Sequence, residues 1–503
     1  MERLTATKTL GLQKSFLSRL QMNSEREKLS IIVIVFIVLL TSWGFPGNPI
    51  QVGDWAMICS MMLLLVPVFS NWRTPRETLR TTIPVLFSSF SHKSLSVRTY
   101  SISIAILTIV LVISTLNPSH ETSYLPTLDE VLLSQKTHIN WLPRTAIVPE
   151  TNKQIFSLIS LVAVTGPMTY YLVGSRKTIR VILWIVVTNS IILSITGMFF
   201  KFTGNPKILG MFVPADARYF FSTFTYKNHW GAYCLITIGI IGALTQHYQK
   251  VHAKRRTSIN SPLPILILAS FIIGLTVALS GSRSCAVTYG LMLFVYLNKV
   301  ILYQIPTSSN RFCKRVVSTL IATTVGLTIS LASLNSHGAT RDEMISNTIR
   351  QIENIKIGKL ENRVYITRDT WKMFKDKPIW GWGLGSFRFI INDPGRYLGN
   401  EHEYAYVYAH NDWIQYMAEL GILGFILLGL ILIIPLFICK RTGIPNPITN
   451  WICFTVFIIY AYSLVEFPCR TPAVSFLLTV VVALSTKYSL LERRKETTID
   501  RQD

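Results

Sequence analysis

A short polar break interrupts two apolar runs at Ser280–Ser284, whose sequence is SGSRS. Arg283 lies at its centre, and a guanidinium beside small residues can bind a phosphate, because its planar fork and the N–H groups of the turn both offer donors. An arginine that extends toward lipid headgroups would have the same sequence pattern, so this alternative stays open.

A second arginine, Arg218, precedes the apolar run that starts near Trp230. Aromatic and basic residues at a membrane boundary often form an anchoring belt. Arg218 is nevertheless expected on the same face as Arg283, which favours a shared anion site. Asn228 is predicted to cap the helix of the following run, because asparagine is a preferred N-cap residue.

A histidine marks the third position, in the segment His410-Asn411-Asp412 before a long apolar run that ends at Ile438. A helix of that length would measure about 42 Å at ~1.5 Å per residue, so its first turns should project from the membrane. The positive end of the helix dipole would keep His410 neutral and able to act as a base. A capping or interface histidine is the alternative.

Metal ligation is also a possible role for His410, because Glu401, His402, Glu403 and Asp412 are close in sequence. The known histidine spacings of zinc motifs are absent from this segment, so no metal and no other cofactor is expected. The seven cysteines show no paired spacing, which argues against a disulfide framework.

Two elements should lie just before this histidine. Residues Glu361 to Lys375 are predicted to form an amphipathic helix with Val364, Trp371 and Phe374 on one face. The spaced glycines that follow, in GWGLGS at 381–386, indicate a tight turn, because no strand-turn-helix context supports a nucleotide site.

The composition indicates the framework that positions these residues. Half of the 503 residues are hydrophobic and only 15% are charged, whereas soluble domains have about 25% charged residues. Apolar runs of roughly 17–25 residues, long enough to cross a bilayer, predict an all-α polytopic membrane protein with about twelve transmembrane helices. These runs start near Ser30, Trp55, Tyr100, Gln154, Thr178, Trp230, Pro264, Cys285, Val316, Asn411, Ile448 and Pro472.

Charge distribution predicts the orientation of these helices. The net charge is +23, and lysines and arginines cluster in alternate connections, which places both termini in the cytoplasm. The predicted organisation is a tail at 1–29, helices 1–9 at 30–334, a large outer loop with short helices at 335–410, helices 10–12 at 411–486 and a tail at 487–503. Membrane lipid, not nucleic acid, is the expected partner of the basic connections.

Several of these motifs, in this order, resemble the O-antigen ligase and polymerase family of bacterial membrane glycosyltransferases. They include the hairpin at 280–283, Glu361-Asn362-Arg363, the segment KPIWGWGLGSF at 377–387, His410-Asn411-Asp412 with Glu419-Leu420-Gly421, and Glu466-Phe467-Pro468. The similarity is densest from Ala217 to Ala473, and the N-terminal third matches only in its pattern of spans.

The resemblance implies a C-type glycosyltransferase fold that uses glycans on undecaprenyl diphosphate, without metal, at the periplasmic face of the inner membrane. It places the essential arginines of the family at Arg218 and Arg283 and its loop histidine at His410. Substrate-binding roles are expected for six residues, namely Arg218, Arg283, Ser282, Asn228, Arg363 and Asn411. His229 and His402 remain alternative candidates for the histidine.

The chemistry of these residue types agrees with the resemblance. Two arginines can stabilise charge on a departing diphosphate, and a neutral histidine can accept the proton of an attacking hydroxyl, so the anomeric centre would be inverted. Aromatic residues of the outer loop could stack on the sugars. The candidates for stacking are Trp371, Trp380, Trp382 and Tyr406.

Two alternatives remain open at this point. A ligase transfers the finished glycan to an acceptor such as lipid A-core, whereas a polymerase joins lipid-linked repeats, and the sequence favours the ligase only by its histidine loop and Arg283 hairpin. A membrane transporter is the more distant alternative, because no internal repeat is found and the apolar runs are nearly free of charge.

Overall fold

The computed structural model describes most of the predicted membrane helices and part of the outer loop. The described residues are 25–44, 52–70, 95–125, 130–204, 207–210, 220–255, 261–304, 362–393, 396–397, 405–441 and 446–499. The first helices are α1 (Glu25–Trp43), α2 (Val52–Ser70), α3 (Leu95–Leu116), α4 (Val148–Ile159), α5 (Gly166–Leu172), α6 (Arg176–Phe202), α7 (Lys227–Arg255), α8 (Leu263–Leu279) and α9 (Arg283–Gln304). The later helices are α10 (Asn362–Asp376), α11 (Phe387–Ile391), α12 (Asp412–Arg441), α13 (Pro447–Tyr462) and α14 (Pro472–Ile499).

Five helical segments are long and apolar enough to cross a membrane among the residues described. They are Leu95–Leu116, Val148–Leu172, in which a π-helical turn joins α4 to α5, Arg176–Phe202, Asp412–Lys440 and Pro472–Arg493. The prediction of a mostly helical membrane protein is therefore confirmed. The number of twelve spans stays a prediction, and the run near Val316 lies outside the described residues.

The core of the membrane region is built around α7, which packs against α6, α8, α9 and α13. Small residues let these helices approach closely. Such residues are common between membrane helices, because the hydrophobic effect does not drive helices together inside lipid. A Cβ added at Gly231 would overlap Cys285 of α9, and one added at Gly239 would overlap Thr455 of α13. The outer end of α7, which begins at Lys227, is thereby held against α9 and α13.

The strands found among the described residues lie in a small subdomain and depart from the all-helical prediction. It is called the outer subdomain below, because the predicted orientation places it outside the membrane. Strands β1 (His120–Leu125) and β2 (Glu130–Gln135) pair antiparallel, with His120 opposite Gln135 and Leu125 opposite Glu130. Outside the hydrocarbon region a backbone need not be helical, because water can satisfy an open sheet edge.

The apolar cluster of this subdomain includes Ile147, Ile366, Met373, Trp382 and Phe387. Trp382 is 6% exposed, and its indole N–H donates to the Met373 carbonyl at 2.9 Å. The expected role of Trp382 as a stacking surface for sugars is therefore wrong, because the ring is enclosed by the core.

Helix α10 confirms the predicted position of the amphipathic helix but not its buried face. Ile366 and Met373 are buried, whereas Val364 and Trp371 remain 45% and 40% exposed. Ile366 and Met373 share the apolar cluster with Trp382, and Phe374, from the predicted face, packs partly against it.

Helix α12 is broken at Gly421, so the continuous helix expected from Asn411 to Ile438 is not observed. Gly421 adopts φ 64° and ψ −177°, a conformation that only glycine adopts readily. The glycine-rich turn at 381–386 docks into the break. The N–H groups of Trp382 and Gly383 donate to the carbonyls of Ala418 and Glu419 at 3.0 and 2.9 Å, and Ile422 N–H donates to the Pro378 carbonyl at 2.8 Å.

Replacing Gly421 with alanine is expected to destabilise the protein by about 2 kcal/mol or more, because a Cβ at this φ is strained and would overlap the Ile379 carbonyl. The measurement is the thermal midpoint of the purified protein in detergent. Gly429→Ala, in the same helix with open space around the added Cβ, is the matched control and should leave the midpoint unchanged or slightly higher. Equal midpoints for both variants would contradict the role of the break.

Candidate functional site

Glu466, in the connection between α13 and α14, is a buried carboxylate that joins three separate parts of the chain. It is 1% exposed. Its Oε1 accepts from Asn228 Nδ2 at 2.7 Å and pairs with Arg363 Nη2 at 2.8 Å. Its Oε2 lies 3.6 Å from Nδ1 of His410, an ion-pair distance slightly too long for a hydrogen bond.

Asn228 connects this carboxylate to the hairpin between α8 and α9. The Ser282 hydroxyl donates to Asn228 Oδ1 at 2.5 Å, and the Ser284 hydroxyl lies 3.2 Å from that of Tyr462. Arg283, between these two serines, has an exposed side chain. The hairpin is thus pinned on both sides of its arginine, which faces outward and can meet a ligand.

Two local expectations for these residues are wrong. Asn228 lies inside α7, and its side chain bridges to Glu466 instead of capping the helix. The N–H groups of Gly281 and Ser282 do not form an anion cradle, because they donate to the Ala278 carbonyl at 3.0 Å and to Ser280 Oγ at 3.4 Å.

Phe467 forms the apolar wall of the site. Its buried ring stacks on Tyr408 and Tyr226, with centroids 4.5 and 5.4 Å apart, and receives the edge of His410 at 4.9 Å. His229 also packs edge-on against Phe467 at 5.1 Å. The wall leaves His410 accessible while it limits rotation of the imidazole.

Buried tyrosine and exposed arginine complete the electrostatics around Glu466. Burial and the carboxylate of Glu466 raise the pKa of Tyr226, so the phenol stays protonated. Burial alone would lower the pKa of Arg363, but Glu466 reverses this effect and the pKa is raised. Arg363 remains a cation, with 46% of its side chain exposed, and can contact a ligand while it neutralises Glu466.

The backbone at His410 is strained in a way that points to function. His410 adopts φ 52°, a left-handed conformation rare for residues other than glycine. Asp412, two residues after His410, holds this conformation in place. Its N–H donates to the carbonyls of Ser463 and Glu466 at 2.9 and 3.3 Å. Such strain persists only where the surrounding structure imposes it.

Arg470 clamps the first turns of α12 to the same connection. Its guanidinium lies 3.1 Å from Glu419 Oε2 and 3.5 Å from Asp412 Oδ1, and covers the Tyr416 ring at 4.2 Å. Because Asp412 and Glu419 both precede the break at Gly421, the clamp fixes the short segment that carries His410 independently of the rest of the helix.

Sequence reasoning found most of the residues that converge here. Asn228, Ser282, Arg363 and His410 meet at Glu466 or one residue from it, and Arg283 is adjacent to Ser282. Asn411 instead caps α12, because its Oδ1 accepts from Ile414 N–H at 3.1 Å. The remaining candidates, Arg218, His402, Glu401 and Glu403, lie outside the described residues.

Sequence reasoning did not assign functional roles to Glu466 and Arg470. One feature of the sequence could have identified them. Both lie in the short connection between two apolar runs, where charged residues are costly unless they are paired or functional. The sequence positions of Glu466 and Arg470 do not reveal their partners, because those partners are 51 to 238 positions away.

The comparison with known families covers about the middle of the chain. Residues 268–429 match a family model described as O-antigen ligase. The match includes Ser282, Arg283, Arg363 and His410, whereas Asn228 and Glu466 lie outside it. No curated protein matches the chain.

Removing the amide at Asn228 tests the network. Asn228→Ala is expected to cost about 1–3 kcal/mol, because the buried Glu466 carboxylate and the Ser282 hydroxyl each lose a partner. The measurement is the thermal midpoint in detergent, with Asn152→Ala, at an exposed position of α4, as the control. An unchanged midpoint for Asn228→Ala would show that these hydrogen bonds do not contribute to stability.

Proposed function

We propose that this membrane protein transfers a glycan from undecaprenyl diphosphate to an acceptor hydroxyl. The match of residues 268–429 to a family model described as O-antigen ligase supports this proposal. The transfer takes place at the periplasmic face of the bacterial inner membrane and inverts the anomeric centre. The acceptor is a saccharide such as lipid A-core. The observation that carries the proposal is the convergence of Asn228, Arg363 and His410 on the buried Glu466.

The leaving group determines the first requirement of this reaction. Breaking the bond between the anomeric carbon and the diphosphate oxygen places negative charge on the diphosphate, and arginine stabilises such charge through bidentate hydrogen bonds. Arg283 is exposed on a hairpin held by Ser282 and Ser284. Arg218 is proposed as the second cation, and Arg363, with 46% of its side chain exposed beside Glu466, is proposed to contact the same anion.

The acceptor hydroxyl supplies the second requirement, a base. As the acceptor oxygen bonds to the anomeric carbon, its proton passes to His410, and the polyprenyl diphosphate leaves with the electrons of the broken bond. The imidazolium that forms is stabilised by Glu466, 3.6 Å away, in the way a buried carboxylate supports a catalytic histidine in other enzymes. No metal is required in this scheme, because the cations are supplied by side chains.

The same chemistry fits a polymerase, in which the acceptor is a second lipid-linked repeat. The anchor and length of surface glycan in a strain that lacks the protein distinguish the two. Full-length glycan stranded on the carrier indicates a ligase, and single repeats in place of long chains indicate a polymerase. Unchanged anchor and length, together with altered uptake of a solute, would contradict both and favour a transporter.

Removing the base or the hairpin arginine should abolish function. His410→Ala is expected to lower the transfer rate about 10²–10⁴-fold, and Arg283→Ala about 10²–10³-fold, with both proteins still folded. The measurement is glycan transfer by purified variants and complementation of the deletion strain. Arg388→Ala, which removes an exposed arginine paired with Glu150, is the matched control. Normal glycan assembly by either site variant would disprove its assigned role.

Neutralising Glu466 tests its role as a positioning residue. Glu466→Gln keeps the shape of the side chain, but it removes the negative charge beside His410 and Arg363. We expect kcat to fall about 10–100-fold, by analogy with outer-shell partners of other catalytic ligands, while KM changes little. A change in KM alone would instead indicate that Glu466 acts through substrate binding.

A further inference from the structure

A second group of basic residues surrounds Trp382 in the outer subdomain, apart from Glu466 and its partners. Lys377 Nζ lies 5.4 Å from the Trp382 ring centroid, the Arg396 guanidinium lies 5.1 Å from it, and the His120 ring lies 6.2 Å away. Arg144 lies nearby, because the N–H of Ala146, two positions later, donates to the Trp382 carbonyl at 2.8 Å, and the charge of Arg144 acts on Lys377. These four residues are called the Trp382 cluster below.

The cations of the Trp382 cluster are poorly neutralised by the described part of the chain. Arg396 has one carboxylate partner, Asp393, at 3.5 Å. Arg144 Nη1 contacts His138 Nε2 at 2.6 Å and Asn140 Oδ1 at 3.1 Å. Neither Arg144 nor Lys377 forms an ion pair with a carboxylate of the described residues, although the charge of Asp376 acts on Lys377 and raises its pKa.

The positive charges of the cluster disfavour one another. Burial, Arg144 and Arg396 lower the pKa of Lys377, and the opposing effect of Asp376 is smaller. Burial and Arg396 likewise lower the pKa of His120 against a smaller opposing effect of Asp393. Each additional positive charge is therefore unfavourable here, and an anion placed among the cations would relieve the repulsion.

Several nitrogen atoms of the cluster are buried without a hydrogen-bond partner among the described residues. They are His120 Nε2 and Arg144 Nε, and Arg396 Nη1 has only its ion pair with Asp393 at 3.5 Å. His120 is 8% exposed, and its other ring nitrogen, Nδ1, is already held by Ser119 Oγ at 3.0 Å. Buried polar nitrogens without a partner are rare in folded proteins, and they often mark the place of a ligand or water.

We propose that the Trp382 cluster binds a phosphate group carried by a saccharide. Phosphate suits several neighbouring cations better than a carboxylate, because it offers three free oxygens and a larger negative charge, whereas a carboxylate offers two oxygens and a single charge. Trp382 and Ala409 belong to the same apolar cluster, and Ala409 precedes His410. The saccharide phosphate is therefore identified as part of the acceptor, and this identification rests on the proposed function. The anion site itself rests only on the cluster.

The test measures binding to the purified full-length protein, with glucose 6-phosphate as the probe. Calorimetry should detect glucose 6-phosphate binding, at least about tenfold tighter than that of glucose or glucuronic acid, because these lack a phosphate. Glucose 6-phosphate that binds no better than glucose would overturn the anion site. Equal binding of glucuronic acid would overturn the choice of phosphate.

Lys377→Gln distinguishes a ligand site from a structural role. Affinity for glucose 6-phosphate should fall about tenfold or more, while the thermal midpoint without ligand should rise, because repulsion among Lys377, Arg144 and Arg396 is removed. Arg144→Gln should weaken binding in the same way. The matched control is Lys372→Gln, whose amine pairs with Asp369 at 2.8 Å and whose loss should leave the affinity unchanged.

Failure of this inference and failure of the proposed function are separable. His410→Ala protein should bind glucose 6-phosphate as tightly as the unmodified protein, because His410 lies outside the Trp382 cluster. Binding that persists without any glycan transfer would leave the anion site standing and disprove the proposed function. Unchanged affinity in Lys377→Gln and Arg144→Gln, or a lower ligand-free midpoint in Lys377→Gln, would overturn the anion site.

Discussion

A buried carboxylate near the outer end of a helical bundle must be neutralised, and this requirement organises the candidate site. Glu466 is 1% exposed and takes a hydrogen bond from Asn228 of α7 and an ion pair from Arg363 of α10. An uncompensated buried charge costs several kcal/mol, so the three elements are held together at this point. His410 is the one partner that the carboxylate does not fully engage, which leaves its ring available for a substrate.

The position of His410 depends on a helix that does not continue. Because α12 breaks at Gly421, its first turns form a separate segment, held by Arg470 on one side and by the glycine-rich turn on the other. The carbonyls of Ala418 and Glu419, just before the break, accept hydrogen bonds from the N–H groups of Trp382 and Gly383. The break thus connects the outer subdomain to α12, close to the segment that carries His410.

Two basic regions of this protein have different environments. Arg283 is exposed on a pinned hairpin, and Arg363 is neutralised by Glu466, so both can meet a diphosphate without a large cost in stability. The Trp382 cluster instead holds its cations close together and partly buried. That arrangement is costly unless an anion is bound, and this difference supports the proposal of a reaction site at Glu466 and a separate anion site at Trp382.

The sequence by itself determined the helical membrane fold, because apolar runs long enough to cross a bilayer have few alternatives to a helix. It also pointed to Asn228, Ser282, Arg283 and His410, since polar residues at the ends of such runs are costly, and the family resemblance added Arg363. Only the tertiary structure decided how they meet. Glu466 gathers residues from up to 238 positions away, Asn228 bridges instead of capping, and Gly421 breaks α12, because these outcomes depend on packing between distant segments that no local pattern encodes.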